Sequence, residues 1–413
     1  MSRTLVCAIQ IGSSRICSAA AWRDQYGNYE IAAIETEQTK GCVRKGCIVD
    51  IEAAANIIKS LVTKLNNRLK GDGCRGVDAA YIGVNAFSMH SYPHSPSIEL
   101  EDGKSLGAEA ISTLRQTSMQ YNLQGLDVLG LDVQGYSLDG IDCLNPIGMT
   151  GSQLVARHQL VVALQRIRFA VRSAMAKAGV KLLGIIATPL AVGKILAPDE
   201  KQKGCVLVDL GHSLTSVSIY FEGSLKYLAT IPFGGNAVTM DIASKGISLE
   251  EAEQTKVAQD ELDIISRCRY EEIIDNVQNQ IVLSGYKDRL AAGCILTGGA
   301  SLQRGLVSLF GERLGISRIM ARGYSGICFG LSDRKPQLSG LMSMIGDCVL
   351  DCEIEKPKNE KPVYKQQTID FDSEEDNSEQ VVADEHVAQV KKSSQVKTGL
   401  SRFFKDLLSG QDE

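Results

Sequence analysis

The sequence has little of what would mark a nucleic-acid partner or an exported protein. Its 44 basic and 49 acidic residues give a formal net charge of −5, so it offers no basic field to a phosphodiester backbone. Aromatic residues at 5% leave few platforms on which bases could stack. Nucleic acid is excluded as a partner on both counts. No stretch approaches the roughly 18 apolar residues of a membrane-crossing helix, and the N-terminus opens on a polar triplet and a β-rich run instead of a signal peptide's long apolar region. The expectation is a chain that stays in the cytosol and does not span a membrane. Among the 12 cysteines the closest pairs, Cys42/Cys47 and Cys348/Cys352, lack the CxxC spacing of common zinc and dithiol redox sites. Cys7, Cys205 and Cys294 fall inside apolar runs, where a reduced thiol serves as a small core residue, and a reducing cytoplasm fits that use.

What the chain has is length, apolar content and three glycine turns. At 413 residues it exceeds what one core usually supports, and 44% apolar residues suffice for two. β-rich runs alternate with helical patterns to about residue 350, the sequence form of an α/β architecture. The turns are Ala8-Ile9-Gln10-Ile11-Gly12-Ser13-Ser14, Val208-Asp209-Leu210-Gly211-His212-Ser213-Leu214-Thr215-Ser216 and Leu296-Thr297-Gly298-Gly299-Ala300. Each of the first two joins one apolar strand (5–11; 205–210) to another (16–21; 217–221), so each reads as a hairpin that turns backbone N–H groups toward an anion. One such turn has an ordinary conformational explanation, because hairpins need glycine anyway. Three in this order resemble an actin-type nucleotide cleft between two related halves, and the repeated hairpin suggests internal duplication.

Two helices are expected. One covers 160–178, with Leu164, Ile167, Val171, Ala174, Met175 and Ala178 on one stripe and Gly179 as its stop; the other covers 270–283, carrying Ile273, Ile274, Val277 and Ile281. From 352 to 398 no period persists, and 370–385 holds eight acids with no Lys or Arg, which reads as a solvated linker. Beyond it Leu400, Phe403, Phe404, Leu407 and Leu408 recur at helical spacing opposite Ser401, Arg402, Lys405, Asp406 and Ser409. So short an amphipathic helix needs an external surface to stabilise it. An anionic bilayer suits its two Phe and flanking cations; a groove on the core or on another protein is the alternative.

The motifs resemble the FtsA family, bacterial actin-like proteins that tether the division polymer FtsZ to the inner membrane, over essentially the whole chain. The most specific stretch is Tyr136-Ser137-Leu138-Asp139-Gly140-Ile141 followed by Asn145-Pro146-Ile147-Gly148-Met149-Thr150-Gly151. Ala187-Thr188-Pro189-Leu190-Ala191, Ile231-Pro232-Phe233-Gly234-Gly235-Asn236 and Asp241-Ile242-Ala243 are similar too. The resemblance implies an actin-like two-domain fold: subdomain 1A over 1–84 and 161–191, the FtsA-type 1C over 85–160, 2A over 192–230 and 293–350, and an abbreviated 2B over 231–292. A disordered linker, 351–398, and a membrane-targeting helix, 399–409, follow. It further implies ATP in the central cleft. Gly12, Ser13, Ser14 and Arg15 would meet the β- and γ-phosphates, with Gly211, His212, Ser213 and Thr215 facing them. Asp209 would hold Mg²⁺ through water, while Gly298, Gly299 and Ala300 would lie by the adenosine and Gly234, Gly235 and Asn236 nearby. Glu253 and Lys256 would hold ribose and base, although an exposed i,i+3 ion pair is the plainer reading of that pair.

The sequence also departs from the family. Gln10 stands where the first turn usually has Asp, and Gly211-His212-Ser213-Leu214-Thr215-Ser216 replaces Gly-Gly-Gly-Thr-Thr-Asp. Two carboxylates that would order the metal's waters are absent, so at most slow ATP hydrolysis is expected. His212 either contacts phosphate, as a cation or hydrogen-bond partner, or is solvated. Between Lys256 and Arg269 there is little room for the strands of 2B, where the family binds the FtsZ tail. The implied function is a division scaffold that binds ATP and Mg²⁺, self-assembles at midcell as a peripheral protein on the cytoplasmic face of the inner membrane, and joins FtsZ to other division proteins. The alternatives are an Hsp70-type or sugar-kinase ATPase and an adaptor with an empty cleft.

Overall fold

The computed structural model describes residues 3–70, 76–101, 103–316, 318–324, 328–329 and 336–353. The expected linker and terminal helix, with Leu400, Phe403, Phe404, Leu407 and Leu408, lie outside them.

Two sheets carry the architecture. Across the six-stranded sheet the strands run Lys181–Ala187, Ala79–Val84, Thr4–Ile11, Arg15–Arg23, Tyr29–Gln38 and Cys328–Phe329. Its centre is the first expected hairpin, paired antiparallel from Thr4↔Arg23 to Ile11↔Ile16, with Ala79–Val84 alongside in parallel. The Thr4–Ile11 strand is apolar on both faces because both are covered. Leu5, Cys7, Ile9 and Ile11 point into a core with Ile58, Leu61 and Leu65 of the Ile51–Arg68 helix and Val171 and Met175 of the Gln165–Ala178 helix; Val6 and Ala8 point to Leu341, Met344 and Ile345 of the Ser339–Ile345 helix. Asp50 caps the first helix by accepting from Ala53 N at 3.0 Å.

The ten-stranded sheet repeats this plan. Ile319–Ala321, Gly293–Thr297, Cys205–Leu210, Thr215–Phe221 and Ser224–Ile231 follow one another with the same parallel, parallel, antiparallel, antiparallel sequence of pairings. One face packs Val206, Val208, Val217 and Ile219 against Val238, Tyr270, Ile274, Val277 and Phe310. The sheet then continues into the 85–160 region. A single backbone pair, Ala229↔His90, joins it to the His90–His94 strand, followed by Gln153–Leu164, Leu126–Leu138 and Ile141–Cys143. Side chains complete that seam: Ser91 Oγ accepts from Leu228 N at 2.8 Å, Asp132 Oδ2 accepts from Leu225 N at 2.7 Å, and Gln134 Nε2 donates to Leu225 O at 3.0 Å.

Both expected helices need corrected starts. Residues 160–164 belong to the Gln153–Leu164 strand, and the helix covers Gln165–Ala178, ending as expected at Gly179 with φ 72°. Leu160, Val161, Val162 and Ala163 are all buried in the sheet, and a continuous apolar run suits a doubly covered strand as well as a helix. The second helix begins at Ile264, where Asp263 accepts from Ser266 N at 2.8 Å. Its opening turn has Ile264 exposed, so the apolar stripe emerges only further on. Cys7, Cys205 and Cys294 are buried core thiols, and burial pushes Cys7 and Cys205 up to about 12. Among the described residues no helix is long and apolar enough to cross a membrane.

Candidate functional site

The two hairpin turns are built alike. Gly12 N donates to Arg15 O at 3.1 Å and Gly211 N to Leu214 O at 2.9 Å, closing equivalent four-residue loops. A Cβ on Gly12 would stand 2.8 Å from Arg15 O, and one on Gly211 2.9 Å from Leu214 O, so the same close approach excludes any side chain from both. Gly298 is more constrained still. Its φ is +87°, and a Cβ there would fall 2.3 Å from Asp209 Oδ1 and 2.5 Å from Leu210 O.

These three turns line one cavity of about 420 Å³. Of the residues singled out from sequence, Gly12, Ser13, Ser14, Arg15, Asp209, Gly211, His212, Ser213, Gly235, Glu253, Lys256, Gly298, Gly299 and Ala300 face it. Thr215, Gly234 and Asn236 do not. Thr215 is fully buried and its hydroxyl donates to Phe233 O at 2.8 Å, so it braces the second turn from behind. Gly234 presses against Gly211 O and His212 O, and the next two N–H groups donate to those carbonyls, Gly235 N to Gly211 O at 3.0 Å and Asn236 N to His212 O at 2.7 Å. The start of the Gly235–Ala243 helix is thus a platform beneath the turn, its first amides occupied by protein.

The first turn is braced from the other side. Thr39 Oγ1 donates to Ser13 O at 2.7 Å, Thr39 N to Ser14 O at 3.0 Å, and Gly46 N to Ser13 Oγ at 3.0 Å. Because Ser13 Oγ accepts there, its own proton remains available to a ligand oxygen. His212 stands at the open side of the cavity, yet loss of hydration, with Lys256 and Arg15 adding to it against Glu253, holds its imidazole below the usual range. That direction favours the neutral, hydrogen-bonding form of the ring.

Lys256 lines the cavity and is engaged by protein acceptors. It is 6% exposed, and its ammonium donates to Gly235 O at 3.2 Å, Thr239 Oγ1 at 2.9 Å and Glu253 Oε2 at 2.7 Å. Three donors meet three protein acceptors, so Lys256 locks the Leu249–Ala258 helix to the Gly235–Ala243 helix. The ion pair is exposed only on its Glu253 side, since Lys256 is buried. Glu253 keeps one carboxylate oxygen for the cavity.

Asp209 is the one acid at the convergence of the turns. Burial alone acts on its carboxyl and pushes it up to about 6, with no opposite charge or hydrogen bond to offset the loss of water. A half-buried carboxylate facing the cavity, with no hydrogen-bond partner among the described residues, suits a cation. Among the described residues no group of three or more His, Cys, Asp or Glu could hold a metal by itself.

Sequence reasoning missed several wall residues. Asn85, Tyr270 and Gln337 each bring a buried oxygen with no partner among the described residues, and Gly340 lies so near Gln10 that a Cβ would fall 2.3 Å from its Nε2. Asn85 alone had a usable signal, being the first residue past the carboxyl end of a central parallel strand, where α/β ligands collect.

A family model described as "Cell division protein FtsA" matches residues 206–368. The chain is similar to the cell division protein FtsA of Agrobacterium fabrum, 30% identical over 317 residues that make up 67% of this chain and 69% of that protein. It is also similar to those of Porphyromonas gingivalis (28% identical; 73% and 69% covered) and Neisseria meningitidis (25%; 86% and 92%). Among solved structures it is similar to one of a PilM-PilN type IV pilus biogenesis complex, with a TM-score of 0.54 at 17% identity, covering 82% of this chain and 97% of that one. The ethanolamine utilization protein EutJ from Carboxydothermus hydrogenoformans gives a TM-score of 0.50 at 16% identity, covering 84% and 90%. At these identities the structural likeness concerns the fold.

Proposed function

The chain belongs to the FtsA family of cell division proteins and has its actin-like fold, and from that premise we propose that it is a scaffold which assembles while holding Mg·ATP in the cleft between its two sheets. The observation that carries this reading is the meeting of two equivalent hairpin turns and the Gly298 turn around one unpartnered carboxylate, Asp209. Turn amides and Ser13 suit phosphate oxygens, Asp209 suits the waters of a phosphate-bound Mg²⁺, and the Gly298–Gly299 backbone leaves room for a nucleoside. The chain's residues bind and orient; the cation would supply charge neutralisation.

Turnover is expected to be slow. Gln10 and Ser216 bring hydrogen bonds and no charge to positions where a general base would act. A bound nucleotide therefore serves as a structural ligand that favours the assembled state. The segment around Phe403 and Phe404 attaches the assembly to an anionic membrane face: one short helix binds weakly and reversibly, and assembly of many copies multiplies that affinity without any new contact. The 231–292 region receives the FtsZ tail. Only five residues, 259–263, separate the Leu249–Ala258 helix from the Ile264–Leu283 helix, and no strand lies between them. Any such site is therefore formed on helices.

The test is a titration of purified full-length protein with ATP and ADP, with and without Mg²⁺ and anionic vesicles, followed by melting and sedimentation. A Mg²⁺-dependent rise in melting temperature with vesicle-dependent pelleting is expected. An unmoved melt at millimolar ATP would leave an adaptor with an empty cleft, and phosphate release of several per second would leave an enzyme.

A further inference from the structure

Gln10 and Ser216 stand where the family resemblance implies two carboxylates, and the amide of Asn85 lies against the second of them. Asn85 follows the Ala79–Val84 strand, whose last residue pairs with Ile11 just before the Gly12 turn. Its Nδ2 donates to Ser216 Oγ at 2.8 Å, a contact that crosses from one sheet to the other at the cavity wall. Ser216 is directly opposite Asp209 in the antiparallel pairing, so the two side chains share a face. Asp209, Ser216 and Asn85 thus form a row beneath the two turns.

The backbone of Asn85 is fixed as firmly as its side chain. Gly46, at φ +72°, closes over it so tightly that a Cβ would fall 1.6 Å from Asn85 O. With Nδ2 on Ser216, Asn85 Oδ1 is buried and has no partner among the described residues. A buried orphan acceptor leaves its desolvation uncompensated unless a donor arrives. Phosphate oxygens are acceptors and cannot satisfy it; a water can.

Resting on the reading of the cleft as a Mg·ATP site, we propose that Asn85 Oδ1 accepts from a water of the phosphate-bound cation. It shares with Asp209 the ordering of that hydration shell, and Ser216 sets the amide's orientation. Asn85 then replaces in part, by a neutral acceptor, what the absent acids would have contributed. It is a positioning residue, since it touches the cation only through water.

The experiment is a melting titration of full-length wild type, Asn85→Ala, Asn85→Asp and Ser216→Ala with Mg²⁺ at saturating ATP, each referenced to ATP with EDTA. Groups that orient metal ligands from outside the coordination shell typically change metal affinity by about tenfold or more. Asn85→Ala should raise the Mg²⁺ midpoint by about that factor and leave the metal-free ATP shift intact. Asn85→Asp, which keeps the acceptor and adds charge, should lower the midpoint. Ser216→Ala should fall between wild type and Asn85→Ala. The metal-free shift reports folding and nucleotide binding, so a merely structural role would alter it and leave the midpoint ratio alone, overturning the proposal. Loss of the ATP shift in Asn85→Asp, with and without Mg²⁺, would overturn it differently, by showing that the amide nitrogen faces phosphate. Failure of the underlying nucleotide reading is distinguishable: wild type itself would show no ATP shift.

Discussion

Asp209→Asn should make the ligand-free protein more stable at neutral pH while impairing its response to Mg·ATP. The carboxyl is raised by burial from 3.8 to about 6, and each unit corresponds to 1.36 kcal/mol, which amounts to about 3 kcal/mol. A raised carboxyl favours the folded state only while protonated. That advantage is complete below the unfolded value of 3.8 and is lost as pH climbs through about 6, so at ~pH 7.5 wild type carries the whole penalty. For ~350 folded residues unfolding with about 2.1 cal/mol/K each, 3 kcal/mol corresponds to about 4 °C. An unpaired amide recovers part of the penalty, about 1 kcal/mol, leaving an expected gain of roughly 2–4 °C. Near pH 4 the two proteins should melt within about 1 °C of each other or the variant should be the weaker, since wild type is then almost fully protonated. Mg²⁺ should add its own increment to the ATP shift in wild type and little in the variant. Differential scanning fluorimetry at both pH values, with ATP, Mg·ATP and neither, reads all three effects. A variant less stable than wild type at ~pH 7.5 without ligand, or one with an undiminished Mg²⁺ increment, would refute the reasoning.

Three further outcomes are expected. Gly298→Ala should abolish the ATP shift and destabilise by about 1–3 kcal/mol, because a Cβ at φ +87° is strained and would meet Asp209 Oδ1; equilibrium denaturation with and without ATP measures both. His158 is 3% exposed and shares Ser118 Oγ with His94; loss of hydration, with Arg115 and His94 adding to it, lowers its imidazole to about 4. Its folded value lies below the usual 6.5, so stability is full above 6.5 and falls by up to about 3 kcal/mol as pH drops through about 4. His158→Leu should flatten that acid limb in melts from ~pH 7 to ~pH 4, and an unchanged limb would assign it elsewhere. Phe403→Asp with Phe404→Asp should release the protein from anionic vesicles without altering its melt, whereas unchanged co-sedimentation would point to a protein groove instead.

The sequence and the structure agree where local chemistry dictates position. The turn glycines were legible because a hairpin between two apolar strands leaves its loop no other direction, and Gly12, Gly211 and Gly298 admit no side chain for reasons confined to their neighbours. Thr215 and 234–236 adjoin the second turn in space, but which of them presents a group to the cavity depends on Phe233 O and the carbonyls of Gly211 and His212, which no pattern discloses. The family resemblance implied a ligand contact for Lys256, while spacing shows only that Glu253 is within its reach. That Gly235 O and Thr239 take its remaining protons is set by the packing of two helices. Tyr270 carries no motif and Asn85 only the signal of a strand end, and both arrive on elements whose approach is fixed by the whole fold. The start of the first helix failed similarly: the 160–164 run satisfies both periods, and its pairing with Leu126–Leu138 on one side and His90–His94 on the other decides.

The seam between Ser224–Ile231 and the 85–160 region bears on how the protein can be dissected. Without that region the Ser224–Ile231 strand would be the outer edge of a large sheet, an open row of amides and carbonyls of the kind that templates aggregation. Ser91, Asp132 and Gln134 cover this edge by hydrogen bonding to it with side chains, so the insert acts as a built-in guard whatever it binds. Excising 85–160 to ask what it recruits would therefore unmask a sticky strand, and insolubility would masquerade as lost recruitment. Point changes on its outer surface, with the seam left whole, put that question cleanly.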